Sequence, residues 1–177
     1  FGDPAETLET AEETLKFFME NQHIIKNSAQ VTFVMVFPGA PIWDDAVRRG
    51  IIKDEADFIQ NKAMQTYNRL TPLNITHMSD ADFEILKEKV FLAEFLSHAS
   101  AVPDMVDNGR VIVTCPWCGK IQDYHNTAYP SFVGCRDCNG RFKLANHWYK
   151  PTQWLVSKIG FGRAFAIRDF LYKCIGR

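Results

Sequence analysis

The chain has 177 residues, of which 46% are hydrophobic and 13% aromatic. This composition excludes an intrinsically disordered chain and supplies enough apolar residues for the cores of one or two domains. No apolar run is as long as a membrane span, since the longest candidate, residues 31–37, suits a strand. No secretory signal is visible either.

The two parts of the chain carry opposite charge, although the net charge is only −1. Residues 1–108 contain nine basic and eighteen acidic residues, a net charge of −9, whereas residues 109–177 contain eleven basic and three acidic residues, a net charge of +8. Such a split is typical of a basic module that binds an acidic surface or an anionic partner. Because both parts lie in one chain, we expect intramolecular docking, and nucleic acid is the less favoured partner.

The chain begins with the pattern of a helix followed by a strand. Asp3 fits an N-cap, Pro4 the first helical position and Glu6 the acidic end of a capping box. Apolar residues then recur at helical spacing. Residues 31–37 form a continuous apolar run, as in a parallel strand buried on both faces, and residues 38–41 end it. These patterns predict an α/β unit.

The middle of the chain is predicted to be mainly helical. Ser79 and Asp82 fit the cap of its clearest helix, which we expect to end near His98. Two further helices precede it, at residues 42–49 and 54–70. Residues 102–108 are interpreted as a linker, and residues 111–114 as a strand leading into a cysteine pair.

Four of the five cysteines form two CxxC pairs separated by sixteen residues: Cys115, Cys118, Cys135 and Cys138. This is the spacing of a metal site, not of a disulfide framework, and it favours a reducing, cytoplasmic compartment. Gly119 and Gly140 are expected to let the chain turn after each pair. Four thiolates close a tetrahedron, so we predict a structural zinc ribbon.

Other interpretations of the cysteines stay open. A redox pair or two disulfides would use the same residues, and iron suits a tetrahedral sulfur site as well as zinc does. His125 and His147 lie nearby but are not needed as ligands. The fifth cysteine, Cys174, is expected on the apolar stripe of a basic amphipathic helix in the tail, as an inert thiol.

Three segments resemble the late part of the catalytic barrel of radical S-adenosylmethionine enzymes, especially the cobalamin-binding branch. Residues 2–7 (Gly-Asp-Pro-Ala-Glu-Thr) resemble the Gly-x-Pro-Gly-Glu-Thr motif after the fifth barrel strand. Residues 38–43 (Pro-Gly-Ala-Pro-Ile-Trp) resemble the Pro-Gly-Thr-Pro-Leu-Tyr motif after the sixth, and residues 50–55 resemble the acidic step that follows. Ala5 and Ala40 depart from the motifs, and the CxxxCxxC cluster motif is absent from this chain.

The resemblance implies the C-terminal part of a radical S-adenosylmethionine enzyme that is not competent alone. Gly2, Glu6, Pro38 and Gly39 would approach the cofactor, while S-adenosylmethionine, a 4Fe-4S cluster and cobalamin would belong to the full-length protein, with the missing N-terminal barrel as partner. No acid, base or nucleophile is assigned, and the substrate stays open. The alternative is a zinc-ribbon binding module that contacts nucleic acid or a carrier protein.

The expected fold is therefore α/β plus small β, in four parts. Residues 1–50 would be the last helix and strand of a radical SAM-type parallel β/α barrel, and residues 51–108 a helical extension. Residues 109–150 would be the zinc ribbon, and residues 151–177 a basic amphipathic helical tail.

Overall fold

A computed structural model of the chain describes residues 1–26, 30–63, 71–160, 162–164 and 166–167. The helices are α1 (Leu8–Glu20), α2 (Gln22–Ile25), α3 (Pro41–Arg48), α4 (Glu55–Asp57, followed by a π-helical turn at Phe58–Lys62), α5 (Asp80–Ser97) and α6 (Tyr149–Ile159). The strands are β1 (Ser100–Ala101), β2 (Met105–Asp107), β3 (Arg110–Thr114), β4 (Ile121–Tyr124), β5 (Phe132–Gly134) and β6 (Arg141–Leu144). The protein is thus a small α/β protein, and no helix in the part described is both long and apolar enough to cross a membrane.

The strands form two three-stranded sheets. In one sheet β3 lies between β2 and β4, and all pairs are antiparallel. In the other, β6 lies between β5, its antiparallel partner, and β1, which pairs with it in parallel. The two sheets contain both cysteine pairs in the turns of their hairpins, so the predicted strand at residues 111–114 is confirmed as part of β3. The predicted linker contains a strand that was missed, β2.

The chain divides into two compact units. The first unit comprises Phe1–Thr14 and Val31–Val90, and the second comprises Leu15–Gln30 and Phe91–Arg177. In the first unit a core forms around Trp43, whose indole N–H donates to Glu55 Oε2 at 2.9 Å. Arg49 holds the loop before α5 to α3, since its guanidinium donates to the carbonyls of Ile75 and Thr76 at 2.6 Å each.

Residues 31–37 are not the predicted buried strand. They belong to no sheet, and the residues described form no barrel. Val31, Phe33 and Val36 are buried, whereas Val34, Met35 and Phe37 are 37%, 39% and 46% exposed. The continuous apolar run indicated burial throughout, but only Val31, Phe33 and Val36 are buried.

The first helix begins later than predicted. Asp3 accepts a hydrogen bond from the Ala5 N–H, which closes a turn rather than capping a helix. Thr7 is the residue that caps α1: its hydroxyl accepts from the Thr10 N–H at 3.2 Å, while the Thr10 hydroxyl accepts from the Thr7 N–H at 3.0 Å. This reciprocal pair is a capping box one turn further along the chain.

The cap predicted for α5 is confirmed. Ser79 Oγ accepts from the Asp82 N–H at 3.1 Å and donates to the Asp82 carboxylate at 2.7 Å. The helix predicted at residues 54–70 is described only as far as residue 63. The amphipathic stripe expected around Cys174 lies outside the described residues, apart from Ile167, which is exposed.

Candidate metal centre

Two hairpins with the same backbone pattern present the four cysteines. The first knuckle, residues 115–119, joins β3 to β4, and the second knuckle, residues 135–140, joins β5 to β6. The N–H of Cys115 donates to the carbonyl of Lys120 at 2.9 Å, and the N–H of Cys135 donates to that of Gly140 at 2.9 Å. Each knuckle is therefore a closed turn that directs two sulfur atoms to one point.

The four sulfur atoms form a compact cluster. All four lie within 4.8 Å of one another, with Cys118 Sγ to Cys135 Sγ at 3.7 Å and Cys115 Sγ to Cys138 Sγ at 3.9 Å. A regular tetrahedron with metal–sulfur bonds of 2.3 Å has edges of about 3.8 Å, whereas a disulfide brings two sulfur atoms to about 2.05 Å. The spacing fits a tetrahedral metal ion and excludes disulfides in this structure.

The backbone strain of the second knuckle lies at Asn139, not at Gly140 as the sequence suggested. Gly119 has φ of 74° and Asn139 has φ of 56°, and each stands four residues after the first cysteine of its pair. Asparagine tolerates this left-handed conformation better than most residues. Gly140 is needed for space instead, because a Cβ atom there would lie 2.5 Å from Trp117 Cδ1.

Trp117 and Gln122 connect the two knuckles. The Trp117 indole N–H donates to the Arg141 carbonyl at 2.9 Å. Gln122, only 4% exposed, accepts from the Arg136 N–H at 3.0 Å and donates to Asp137 Oδ2 at 2.6 Å. Both residues therefore fix the second knuckle against the hairpin that contains the first. The sequence analysis missed them, because the CxxC spacing does not indicate which other residues connect the two knuckles.

The thiols differ in their affinity for protons. Burial raises the pKa of the Cys115 thiol to about 12. Burial also opposes ionisation of Cys135, but the N–H groups of Cys138 and Asp137 donate to its sulfur and lower its pKa to about 7. Because metal ligands are thiolates, a divalent cation would displace the remaining protons, and its binding is therefore coupled to pH.

The second unit builds its core directly beneath the cysteines. Its fully or nearly buried members are Val111, Val113, Cys115, Tyr124, Val133, Cys135, Phe142 and Leu144. The Tyr124 hydroxyl donates to the Gly134 carbonyl at 2.8 Å, which links the two sheets. Tyr124 and Phe142 are the aromatic residues of this core, whereas Tyr129 and Phe132 are 40% and 42% exposed.

Among the described residues, the four cysteines are the single group placed to hold a metal ion. His125 is 66% exposed and lies 3.5 Å from Asp123. His147 is exposed as well. Neither histidine belongs to the cluster.

The residues predicted to approach a cofactor lie in two turns of the first unit. Gly2, with φ of 90°, donates its N–H to Glu6 Oε2 at 2.6 Å, so this carboxylate has a local partner. Pro38 and Gly39 form the turn before α3, and Gly39 has φ of 85°. Their role in cofactor binding stays a prediction.

Comparison with models of known protein families, with curated proteins and with solved structures finds no match.

Proposed function

We propose that the cysteine centre is a structural zinc site and that residues 109–150 form a zinc ribbon. The observation that carries this proposal is the sulfur cluster, whose 3.7 and 3.9 Å separations match the edge of a zinc–thiolate tetrahedron. Four protein ligands leave no open position for substrate or water, so the ion stabilises the fold and does no chemistry.

The test is metal analysis of the purified chain, prepared under reducing conditions. We expect one equivalent of zinc, and cobalt substitution should give the charge-transfer absorption of a four-thiolate site. Iron in place of zinc would keep the structural role but change the metal. Folded protein with well under one equivalent of any metal would contradict the proposal.

We further infer that the chain is the C-terminal portion of a radical S-adenosylmethionine enzyme. The motifs at residues 2–7, 38–43 and 50–55 support this, and so does a local hydrogen-bond pattern. The amino group of Phe1 donates to the Thr32 carbonyl at 2.7 Å, and the Val34 N–H donates to the Phe1 carbonyl at 2.7 Å. Phe1 thus bonds to the residues on either side of Phe33, which is the hydrogen-bond pattern of parallel strands. Neighbouring strands of a β/α barrel are expected to pair in this way.

The enzyme proposal is tested with the coding sequence upstream of Phe1. A CxxxCxxC motif there, together with iron in the longer protein and reductive cleavage of S-adenosylmethionine, would support it. A longer protein without that motif would contradict it, and would leave the zinc ribbon as a binding module.

A further inference from the structure

One face of α6 points away from the second unit and is both apolar and basic. The opposite face packs inward: Val156 is 3% exposed, and Gln153 donates to the carbonyls of Phe95 and His98 at 2.9 and 3.1 Å. Successive side chains are 100° apart around a helix, so the residues on the side of α6 opposite Gln153 and Val156 can be identified. Trp148, which immediately precedes the helix, is exposed next to them. We call this the outward face; it consists of Trp148, Lys150, Trp154, Leu155 and Lys158.

The outward face exposes an unusual amount of apolar surface. Trp148, Trp154 and Leu155 are 74%, 64% and 45% exposed. Single exposed apolar residues are common, but two exposed tryptophans and a leucine on one helix and the residue before it indicate a binding surface. Lys150 and Lys158 flank Trp154 at four-residue spacing, so this tryptophan lies between two cations.

The charge of the sequence segment that contains this face indicates the chemistry of its partner. Residues 138–168 contain no Asp or Glu and six basic residues: Arg141, Lys143, Lys150, Lys158, Arg163 and Arg168. Such a segment repels cationic surfaces and attracts anionic ones. The partner should therefore present negative charge together with an apolar layer.

An anionic bilayer surface meets both requirements better than a nucleic acid does. Tryptophan is enriched where headgroups meet acyl chains, and lysine can reach outward from that depth to the headgroups. Leucine gains free energy by entering the acyl boundary, whereas it has no ring on which a base could stack. No helix in the described part of the chain could span the bilayer, so the contact would lie in the plane of the surface.

We propose that the outward face of α6 docks the protein on anionic phospholipid membranes, with Trp148, Trp154 and Leu155 at the acyl boundary and Lys150 and Lys158 at the headgroups. This inference is independent of the metal and of the proposed enzyme activity. Each lysine near such a surface strengthens binding by about fivefold, and the effect is screened by salt.

The experiment measures cosedimentation of the metal-loaded full chain with vesicles. We expect binding to vesicles of equal parts phosphatidylcholine and phosphatidylserine, weaker binding as salt increases, and little binding to phosphatidylcholine alone. Lys150→Gln with Lys158→Gln should lower the affinity by about 25-fold, and Trp154→Ser with Leu155→Ser by at least about tenfold, since apolar burial provides the remaining affinity.

Matched controls use exposed residues elsewhere in the chain. Ile121→Ser removes a side chain that is 71% exposed, and Lys62→Gln removes a lysine whose side chain is 63% exposed. Both should leave vesicle binding unchanged. The proposal is overturned if the chain does not bind the anionic vesicles, if the α6 variants bind as well as the controls, or if the chain binds single-stranded DNA but not vesicles.

Discussion

At the scale of single residues, the second knuckle shows how two neighbouring positions share tasks that the sequence attributed to one glycine. Asn139 adopts the positive φ, and Gly140 leaves room for the Trp117 ring. Only the first task follows from local chain geometry. The second depends on a contact between hairpins 23 residues apart along the chain, which cysteine spacing does not encode.

Gly140→Ala should therefore destabilise the second unit. Its new Cβ would lie 2.5 Å from Trp117 Cδ1, so the indole must shift, at a cost of about 1–3 kcal/mol in the free energy of unfolding. Gly134→Ala is the matched control, because a Cβ there meets nothing within 4 Å. Chemical denaturation measures both variants, and equal losses of stability would show that the Trp117 contact is unimportant.

Gln122 should set the affinity of the centre for zinc without touching the ion. Gln122→Leu keeps the approximate volume but leaves the Arg136 N–H and the Asp137 carboxylate without their amide partner. Removing a group that is hydrogen-bonded to a metal ligand lowers metal affinity by about 10- to 100-fold. Gln122 acts through residues 136 and 137 and not through a cysteine, so we expect a loss near the lower end of that range. Competition with a chelator measures the change. The control is the next residue on β4, Asp123, which pairs with Arg110 at the surface. Asp123→Asn should leave zinc affinity unaltered.

His98 should make the second unit sensitive to acid. Burial, and then repulsion by Lys143 and Arg141, hold its pKa below the usual 6.5, and its ring lies 4.9 Å from that of Phe132. The folded state thus binds this proton less readily than the unfolded state, so stability present above about pH 6.5 is lost as the pH falls below that value.

The variant His98→Gln should lose part of this pH dependence. The free energy of unfolding would be compared at pH about 7.5 and pH about 5.5. Any loss of zinc at the lower pH affects the unmodified protein and both variants alike. His147→Gln, which removes an exposed histidine, should retain the acid sensitivity of the unmodified protein. An unchanged pH dependence in His98→Gln would exclude a role for this histidine.

At the scale of elements, the sequence predicted those helix ends and strands that depend on residues close together in the chain. The Ser79 cap and the strand before Cys115 follow from capping chemistry and the CxxC turn. Strand β2 was missed, because it depends on pairing with β3. Helix α6 begins at Tyr149, within the predicted ribbon and two residues before the predicted helical tail. Residues 31–37 were misjudged because hydrophobicity alone does not reveal whether a neighbouring strand is present to form a sheet.

Metal removal should unfold the ribbon and spare the helices. A structural zinc ion contributes on the order of 10 kcal/mol to such a domain, and the second unit has a core built around Cys115 and Cys135. Chelation, or Cys118→Ser, should abolish hydrogen-exchange protection in β3–β6 while α3 and α5 keep their helical ellipticity. Cys174→Ser should still bind one zinc ion. Protection of β3–β6 that survives chelation would contradict a structural metal.

At the scale of the whole molecule, the isolated chain should not carry out radical chemistry. The sequence contains no CxxxCxxC motif, the motif that holds the cluster in the family it resembles. Incubation with S-adenosylmethionine and a strong reductant should yield no 5′-deoxyadenosine, measured by chromatography against a known radical enzyme as positive control. Turnover by this chain would show that the resemblance had been misread. The sequence predicted which four cysteines cluster, but no motif in it marks the division of the chain into two units.

Because the four thiols are unevenly buried, reagents in solvent reach the cysteine cluster from one side. In each pair the first cysteine is buried, with Cys115 and Cys135 at 1% and 2% exposure, while Cys118 is exposed and Cys138 partly so. A peroxide or an alkylating reagent therefore meets the first knuckle at its outer sulfur before any other ligand. Oxidative damage would begin at Cys118, release the ion and loosen the ribbon from the solvent side inward.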